Sequence, residues 1–180
     1  TRLGPYEIIE LLGRGGMGEV YQAVDTRKTR TVALKLLVPA LSGDAGFRER
    51  FLRESRIAAQ LNDRHVVPIH DWGEIEGVLF IDMRMVDGTD LRSLLTRDGA
   101  LPVERALFIL GQVADALDTA HAAGLVHRDV KPDNILVDAR DFAYLADFGL
   151  AQSGTDSSLT STGMAPTANG STPPAIRLCS

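Results

Sequence analysis

Short apolar runs separated by turn residues fill this chain up to about Gln152. Runs of strand length occupy residues 6–12, 20–24, 31–37, 66–72 and 78–83. Pro68, inside the fourth of these, predicts an edge strand or a bulge there. Phe47, Phe51, Ala58 and Leu61 recur at helical spacing and predict a helix over 47–61. Glu54 falls on that apolar stripe, whereas Glu49 falls on the solvated face. A shorter helix is expected over 91–97, with Asp90 placed as its N-cap. The clearest helix spans 102–123. Val103, Ala106, Leu107, Leu110, Val113, Ala114, Leu117 and Ala120 line one face, Pro102 starts it and Gly124 ends it. Residues 135–138 and 142–146 then read as two short strands around a turn at Ala139-Arg140-Asp141.

Composition changes once. From Ser153 to Ser180 the chain is rich in Ser, Thr, Gly, Pro and Ala, a mixture that buries too little surface to offset its ordering entropy, and disorder is the expectation. There are no internal repeats. The 180 residues are 44% hydrophobic, enough for one domain or two small lobes with a real core. A net charge of −5 argues against a sequence-independent nucleic-acid binder, so no nucleic-acid partner is expected. Cys179 is the single cysteine, which suits a reducing, cytoplasmic compartment. No apolar run reaches the length of a membrane-spanning helix, and no signal peptide is visible. The chain begins at Thr1 without a methionine, so a natural start upstream is expected.

Gly13-Arg14-Gly15-Gly16-Met17-Gly18-Glu19 lies between the first two predicted long strands. Glycines allow peptide N–H groups to approach phosphate oxygens closely, although such a loop is equally an ordinary hairpin. A dinucleotide-binding fingerprint would open a helix, and here a strand follows, which disfavours an oxidoreductase. Lys35 sits among apolar residues in Val32-Ala33-Leu34-Lys35-Leu36-Leu37. A buried ammonium needs a partner, and Glu54 on the buried stripe of its helix is the best candidate. A snorkelling edge lysine is the plainer alternative.

The densest chemistry is His127-Arg128-Asp129-Val130-Lys131-Pro132-Asp133-Asn134, followed by Asp147-Phe148-Gly149. A carboxylate, a cation and a carboxamide share one tight loop, and a hairpin would return a second carboxylate to it. Phosphoryl transfer needs that inventory: a group to orient a hydroxyl, positive charge at the phosphates and oxygen ligands for magnesium.

On these motifs the chain resembles the eukaryotic-like serine/threonine protein kinases of bacteria over about residues 4–162. The resemblance implies an α+β, two-lobed kinase fold, with an antiparallel-sheet N-lobe carrying one main helix and an incomplete helical C-lobe. It divides the chain into an N-lobe (1–82), a hinge (83–90), a partial C-lobe (91–152) and a partial activation segment with a divergent tail (153–180). It implies ATP and Mg2+ as cofactors, with Mn2+ able to substitute, and Ser/Thr-containing proteins as substrates. Asp129 would orient the substrate hydroxyl and Lys131 would steady the phosphoryl group; Asn134 and Asp147 would hold the metal. Leu12, Gly13, Arg14, Gly15, Gly16, Met17, Gly18, Glu19, Val20, Ala33, Lys35, Glu54, Met83, Met85 and Asp90 would form the nucleotide site. There Met83 is the gatekeeper, Met85 the adenine-reading backbone and Asp90 a ribose contact or simply the helix cap. Arg84 stands where the family commonly has glutamate. His127 would pack beneath Phe148, and Arg128 would meet a phosphorylated residue of the activation segment, for which Thr160 and Thr162 are candidates.

After Gly163 the resemblance fails: Met164-Ala165-Pro166 is followed by Thr167, and the rest fits nothing in the family. Two readings follow. One is an active kinase that transfers the ATP γ-phosphate to Ser/Thr hydroxyls and to its own activation segment. The other is a truncated, non-catalytic remnant that holds nucleotide or a partner. Family members are often anchored by a membrane segment, and none is visible in this sequence. The oligomeric state and the activating signal are not encoded in any motif.

Overall fold

The structure, a computed structural model, describes residues 1–148. Six strands form one antiparallel sheet: β1 (Arg2–Leu3), β2 (Tyr6–Gly15), β3 (Gly18–Asp25), β4 (Arg30–Leu37), β5 (Ile69–Ile75) and β6 (Val78–Arg84). Their order is β1-β2-β3-β4-β6-β5, so β5 is an edge, and its register slips between Ile69 and Asp71 just after Pro68. The turn between β2 and β3 is tight for a physical reason. A Cβ on Gly18 would lie 2.0 Å from the Leu36 carbonyl oxygen, so only glycine lets β3 reach β4 there.

Between β4 and β5 come α1 (Pro39–Ser42) and α2 (Ala45–Ala58). Asp44 caps α2 by accepting from the Phe47 N–H at 2.7 Å. The expected stripe is the buried one: Phe47, Phe51, Glu54 and Ala58 face inward, and Leu37, Val67, Leu79 and Ile81 pack with the two phenylalanines. The helix ends earlier than its apolar period, because the Gln60 and Leu61 N–H groups turn to the Ile57 and Ala58 carbonyls, three residues back instead of four.

Beyond β6 the chain crosses to β7 (Thr89–Asp90), α3 (Leu91–Asp98) and α4 (Val103–Ala122), then to β8 (Ile135–Val137) and β9 (Ala143–Leu145). The last two form the expected hairpin, with β7 on the outer edge of β8. Gln112 of α4 pins this hairpin: its Oε1 accepts from the Ala143 N–H at 2.9 Å and its Nε2 donates to the Asp141 carbonyl at 2.9 Å.

The inward face of α4 differs from the one its periodicity suggested. Ile109, Gln112, Val113, Ala116 and Ala120 are buried, while Val103, Leu107 and Leu110 are 73%, 64% and 53% exposed. The helix carries two apolar stripes, and the hairpin, α3 and the α2–β5 loop cover only one of them. Strands β1 and β7 and helix α1 escaped the sequence pattern because they are too short to show a period. No helix among the described residues is long and apolar enough to cross a membrane.

Candidate functional site

A cleft of about 620 Å³ opens between the six-stranded sheet and the α3–hairpin region. Its roof is Leu12, Gly13 and Arg14 of β2 with Val20 of β3 and Ala33 of β4; its back wall runs through Met83, Arg84, Met85 and Val86. Asp133, Asn134, Leu136, Ala146 and Asp147 form the floor. This size fits a ligand of nucleotide dimensions, and apolar walls are interrupted by polar groups on two sides, at Asp90–Ser93 and at Asn134 with Asp147.

The residues singled out by sequence divide into two groups. Leu12, Gly13, Arg14, Val20, Ala33, Met83, Met85, Asp90, Asn134 and Asp147 line the cleft. Gly15, Gly16, Met17, Gly18, Glu19, Lys35 and Glu54 do not. Met17 packs with the core around α2, and Glu19 pairs with Arg14 at 2.9 Å while accepting from the Tyr21 hydroxyl. Asp90 is both a wall residue and the cap of α3, accepting from the Ser93 N–H at 2.8 Å. Periodicity missed Leu136 and Ala146, yet the signal was present. Leu136 lies between buried Ile135 and Val137, so strand alternation turns it to the opposite, cleft-facing side. Thr160 and Thr162 lie outside the described residues, as does Gly149.

The loop between α4 and β8 carries the charged groups. Pairing of Ile135 with Leu145 brings the Ala146 N–H to the Asn134 carbonyl at 2.9 Å, which sets Asp147 beside Asn134. Asp129 accepts from Lys131 Nζ at 2.7 Å and from Asn134 Nδ2 at 3.2 Å. Asn134 Nδ2 also donates to the Asp129 carbonyl at 2.8 Å. The Lys131 hydrogen bond, followed by that of Asn134, holds the Asp129 carboxyl below the usual carboxylate range, and the same contact raises Lys131. Asp129 is therefore ionised at neutral pH.

His127 lies beneath this loop, tilted against Phe148 with ring centroids 4.7 Å apart. Its Nε2 donates to the Ala146 carbonyl at 2.8 Å and its Nδ1 accepts from the Asp129 N–H at 3.3 Å. Those partners fix one neutral tautomer, and burial pushes the imidazole below its ordinary value. It acts as a strut between the loop and the segment that carries Asp147. Arg128 and Asp147 both have left-handed backbones, at φ 66° and 64°. Such conformations are held against about 1 kcal/mol or more of strain and concentrate at working sites.

The expected Lys35–Glu54 pair is not formed. Lys35 Nζ lies 2.8 Å from Asp147 Oδ2 instead, and Glu54 Oε1 accepts from Arg128 at 3.0 Å. Both carboxylates are satisfied, Asp147 by the lysine anticipated for Glu54 and Glu54 by the arginine anticipated for a phosphate. Arg128, expected to be available to a phosphate, is held by α2 through Glu54.

The donor set suits a hard divalent cation. Asp147 offers carboxylate oxygens, and with Asn134 Nδ2 engaged on Asp129 the carboxamide oxygen is the atom left for a metal. An ionised carboxylate and its adjacent ammonium, next to two oxygen donors that line the cleft, can orient a hydroxyl and neutralise phosphate charge.

The chain belongs to the protein kinase domain family, whose model matches residues 6–170. It is 58% identical over 165 residues to serine/threonine-protein kinase PknD of Mycobacterium tuberculosis, covering 92% of this chain and 25% of that protein. Against serine/threonine-protein kinase PknE of Mycobacterium bovis it is 56% identical over 163 residues, covering 91% of this chain and 29% of the relative. The chain thus spans between a quarter and a third of the curated relatives' lengths. The crystal structure of the Mycobacterium tuberculosis PknI kinase domain superposes with a TM-score of 0.75 at 42% identity, covering 84% of this chain and 62% of that one. The sheet-and-helix architecture described above is accordingly the kinase fold, as the motifs implied.

Proposed function

We propose that this chain binds ATP with a divalent cation in the cleft and transfers the γ-phosphate to serine or threonine hydroxyls. The observation that carries this reading is the joining of Asp129 to Lys131 and to Asn134 in one loop, with Asn134 and Asp147 lining a nucleotide-sized cleft. The adenine would lie between Val20 and Ala33 above and Leu136 below, reading the backbone at Met85. Asp129 would accept a hydrogen bond from the substrate hydroxyl and take up its proton as the new oxygen–phosphorus bond forms and the γ-phosphorus parts from the β,γ-bridging oxygen, which leaves on ADP. Lys131, already beside Asp129, would share its charge with the transferring phosphoryl group. Asn134 and Asp147 would hold Mg2+, which supplies charge neutralisation at the phosphates. The division into lobes at residues 83–90 and the modification of Thr160 and Thr162 belong to the same proposal.

One observation favours the rival reading, a protein that holds nucleotide without transferring phosphate. Lys35 occupies Asp147, so a metal ligand and the phosphate-facing lysine neutralise one another. Incubation with Mg-ATP followed by mass spectrometry of Thr160 and Thr162 separates the two. The transfer reading expects phosphate on either residue, reduced roughly 10²–10⁴-fold by Asp129→Asn. Folded wild-type protein with no more phosphate than that variant, yet stabilised by Mg-ATP, would establish the rival.

A further inference from the structure

Strand β9 is the edge of its sheet, and an edge strand leaves backbone groups pointing away from its partner. Those of Ala143 and Leu145 are all satisfied. The His65 carbonyl accepts from the Leu145 N–H at 2.7 Å, and the Val67 N–H donates to the Leu145 carbonyl at 3.0 Å. His65 Nδ1 donates to the Ala143 carbonyl at 2.9 Å, and the Ala143 N–H goes to Gln112. Gln112 is the one buried polar side chain of α4 among the described residues. Its amide has a fixed orientation: the oxygen faces an N–H, while the nitrogen faces the carbonyls of Asp141 and Phe108 at 2.9 and 3.3 Å. Two polar rungs thus join α4 and its following loop to β9. The far rung is Gln112 to Ala143, and the near rung is His127 Nε2 to the Ala146 carbonyl at 2.8 Å. Between them α4 advances about 15 Å from Gln112 to Ala122, and the chain through β9 advances about 13 Å from Ala143 to Asp147. One rung alone lets the strand swivel, whereas two fix its direction. That direction sets both oxygen donors: Asp147 follows β9, and Asn134 takes its place from the pairing of Ile135 with Leu145.

We infer that Gln112 is a positioning residue for the metal–nucleotide complex: acting through β9, it holds the oxygen donors of Asp147 and Asn134 in register with the Asp129 loop that α4 delivers. This rests on the reading of the cleft as a metal–nucleotide site. Gln112 does not line the cleft, and Val20, Ala33 and Met85, which form the adenine side, belong to the six-stranded sheet and the segment after it. Its effect therefore falls on the metal and its phosphates, not on the base. Arg105 of α4 also grips the hairpin, at the Asp141 carboxylate, but from a position 32% exposed and on the turn, outside β9 itself. A water-screened contact on the turn guides β9 less than a buried bond to its backbone.

The test uses the full chain as wild type, Gln112→Met, Ile109→Val, Asp147→Asn and the Gln112→Met/Asp147→Asn double variant. A fluorescent ADP derivative is titrated in EDTA and again in Mg2+, and the ratio of the two dissociation constants reads the metal's share of binding. Gln112→Met keeps the length of the side chain and removes both of its hydrogen-bonding groups. Its ratio should fall roughly tenfold, the scale on which residues supporting a metal's ligands act, with binding in EDTA unchanged. Ile109→Val thins the same buried helix face without touching the polar groups of β9. It should lower the unfolding temperature and keep the wild-type ratio. In Asp147→Asn, which lacks the ligand being positioned, Gln112→Met should change the ratio no further. An unchanged ratio in folded Gln112→Met overturns the inference, as does an equal fall in Ile109→Val or a further fall in the double variant. If Gln112→Met does not fold, Gln112→Asn, too short to reach both partners, takes its place and is judged by the same ratio. Failure of the wild type to bind Mg-ADP removes the functional reading and the inference together, whereas an unchanged ratio beside intact wild-type binding removes the inference alone.

Discussion

The six-stranded sheet has a charged network on each side, and the two are built differently. On the side away from the cleft, Asp25 and Asp82 are fully buried. Asp82 takes the Tyr6 hydroxyl at 3.1 Å, Arg30 at 3.4 Å and His70 Nδ1 at 3.2 Å. Arg27 joins Asp25 at 3.3 Å to Asp71 at 3.1 Å. Burial, with Asp82 close by, pushes the Tyr6 phenol well above its ordinary value, so it remains a donor. Every member comes from a strand of the one sheet or from the β3–β4 turn, so the ladder fixes their separations, and Arg30 stands between both buried carboxylates, 3.4 Å from Asp82 and 3.9 Å from Asp25. The cleft-side network draws on β4, α2, the loop after α4 and the segment after β9, elements that meet only through packing. Buried charges within a sheet make a brace; buried charges between separately packed elements can exchange partners.

Removing the centre of the brace tests the first half of that contrast and has the largest expected effect. Asp82→Ala strands Tyr6, Arg30 and His70 around an apolar methyl, and breaking a buried pair this way costs about 3–5 kcal/mol. The urea midpoint should fall accordingly, while the fraction that remains folded should bind Mg-ADP with unchanged affinity. A matching loss of affinity per folded molecule would mean that the two networks are coupled through β4 and β6, and the contrast would fail.

The difference between the networks also explains what was legible in the sequence. Strand and helix assignments followed from patterning because each long element shows its own period, and the contiguous loop from His127 to Asn134 announced its chemistry by residue order. The ion pairs did not. Glu54 on a buried stripe demanded a cation, and two were within reach of the fold; Lys35 and Arg128 satisfy the sequence argument equally. Which one is taken depends on how α2 sits over the loop, a property of packing between elements that no local pattern carries. The face of α4 failed for a related reason. Phe108, Ile109, Val113 and Ala116 interleave with Leu107, Leu110 and Ala114, so hydrophobicity alone offers two stripes, and the Gln112 contacts with the hairpin select one.

His127 lets the cleft side be probed by pH, with a smaller effect. Its folded value is depressed mainly by burial, so the unfolded chain, with a value near 6.5, takes up a proton first as pH falls. The His127 contribution to stability is complete above about pH 6.5 and declines below it. Asp129 is depressed too, so its own contribution is lost only at more acid pH, below the unfolded carboxylate value of about 3.9. Stability measured between pH 7.5 and 5.5 should drop more in wild type than in His127→Asn, the other three histidines being common to both. Parallel profiles would show that the loop opens to water around His127 and is not held by it.

The smallest effect concerns a link that bypasses both networks. Arg84, at the end of β6, stacks its guanidinium 4.7 Å from the ring centre of Tyr144 on β9. This joins the sheet's last strand to the hairpin whose next residues, Leu136 across the register and Ala146 along the strand, form the cleft floor. At this position, where the family commonly has glutamate, the arginine side chain thus ties the strand beside the cleft's back wall to the hairpin that carries its floor. A cation over an exposed aromatic contributes about 0.5–1 kcal/mol. Arg84→Glu should therefore weaken Mg-ADP binding by only a few fold. Tyr144→Phe, which keeps the ring, should bind as wild type, and Tyr144→Leu should lose as much as Arg84→Glu does. The double change Arg84→Glu/Tyr144→Leu should lose no more than either alone, because both remove the same contact. Additive losses would assign each residue its own route to the cleft and leave the hinge strand held by β6 pairing alone.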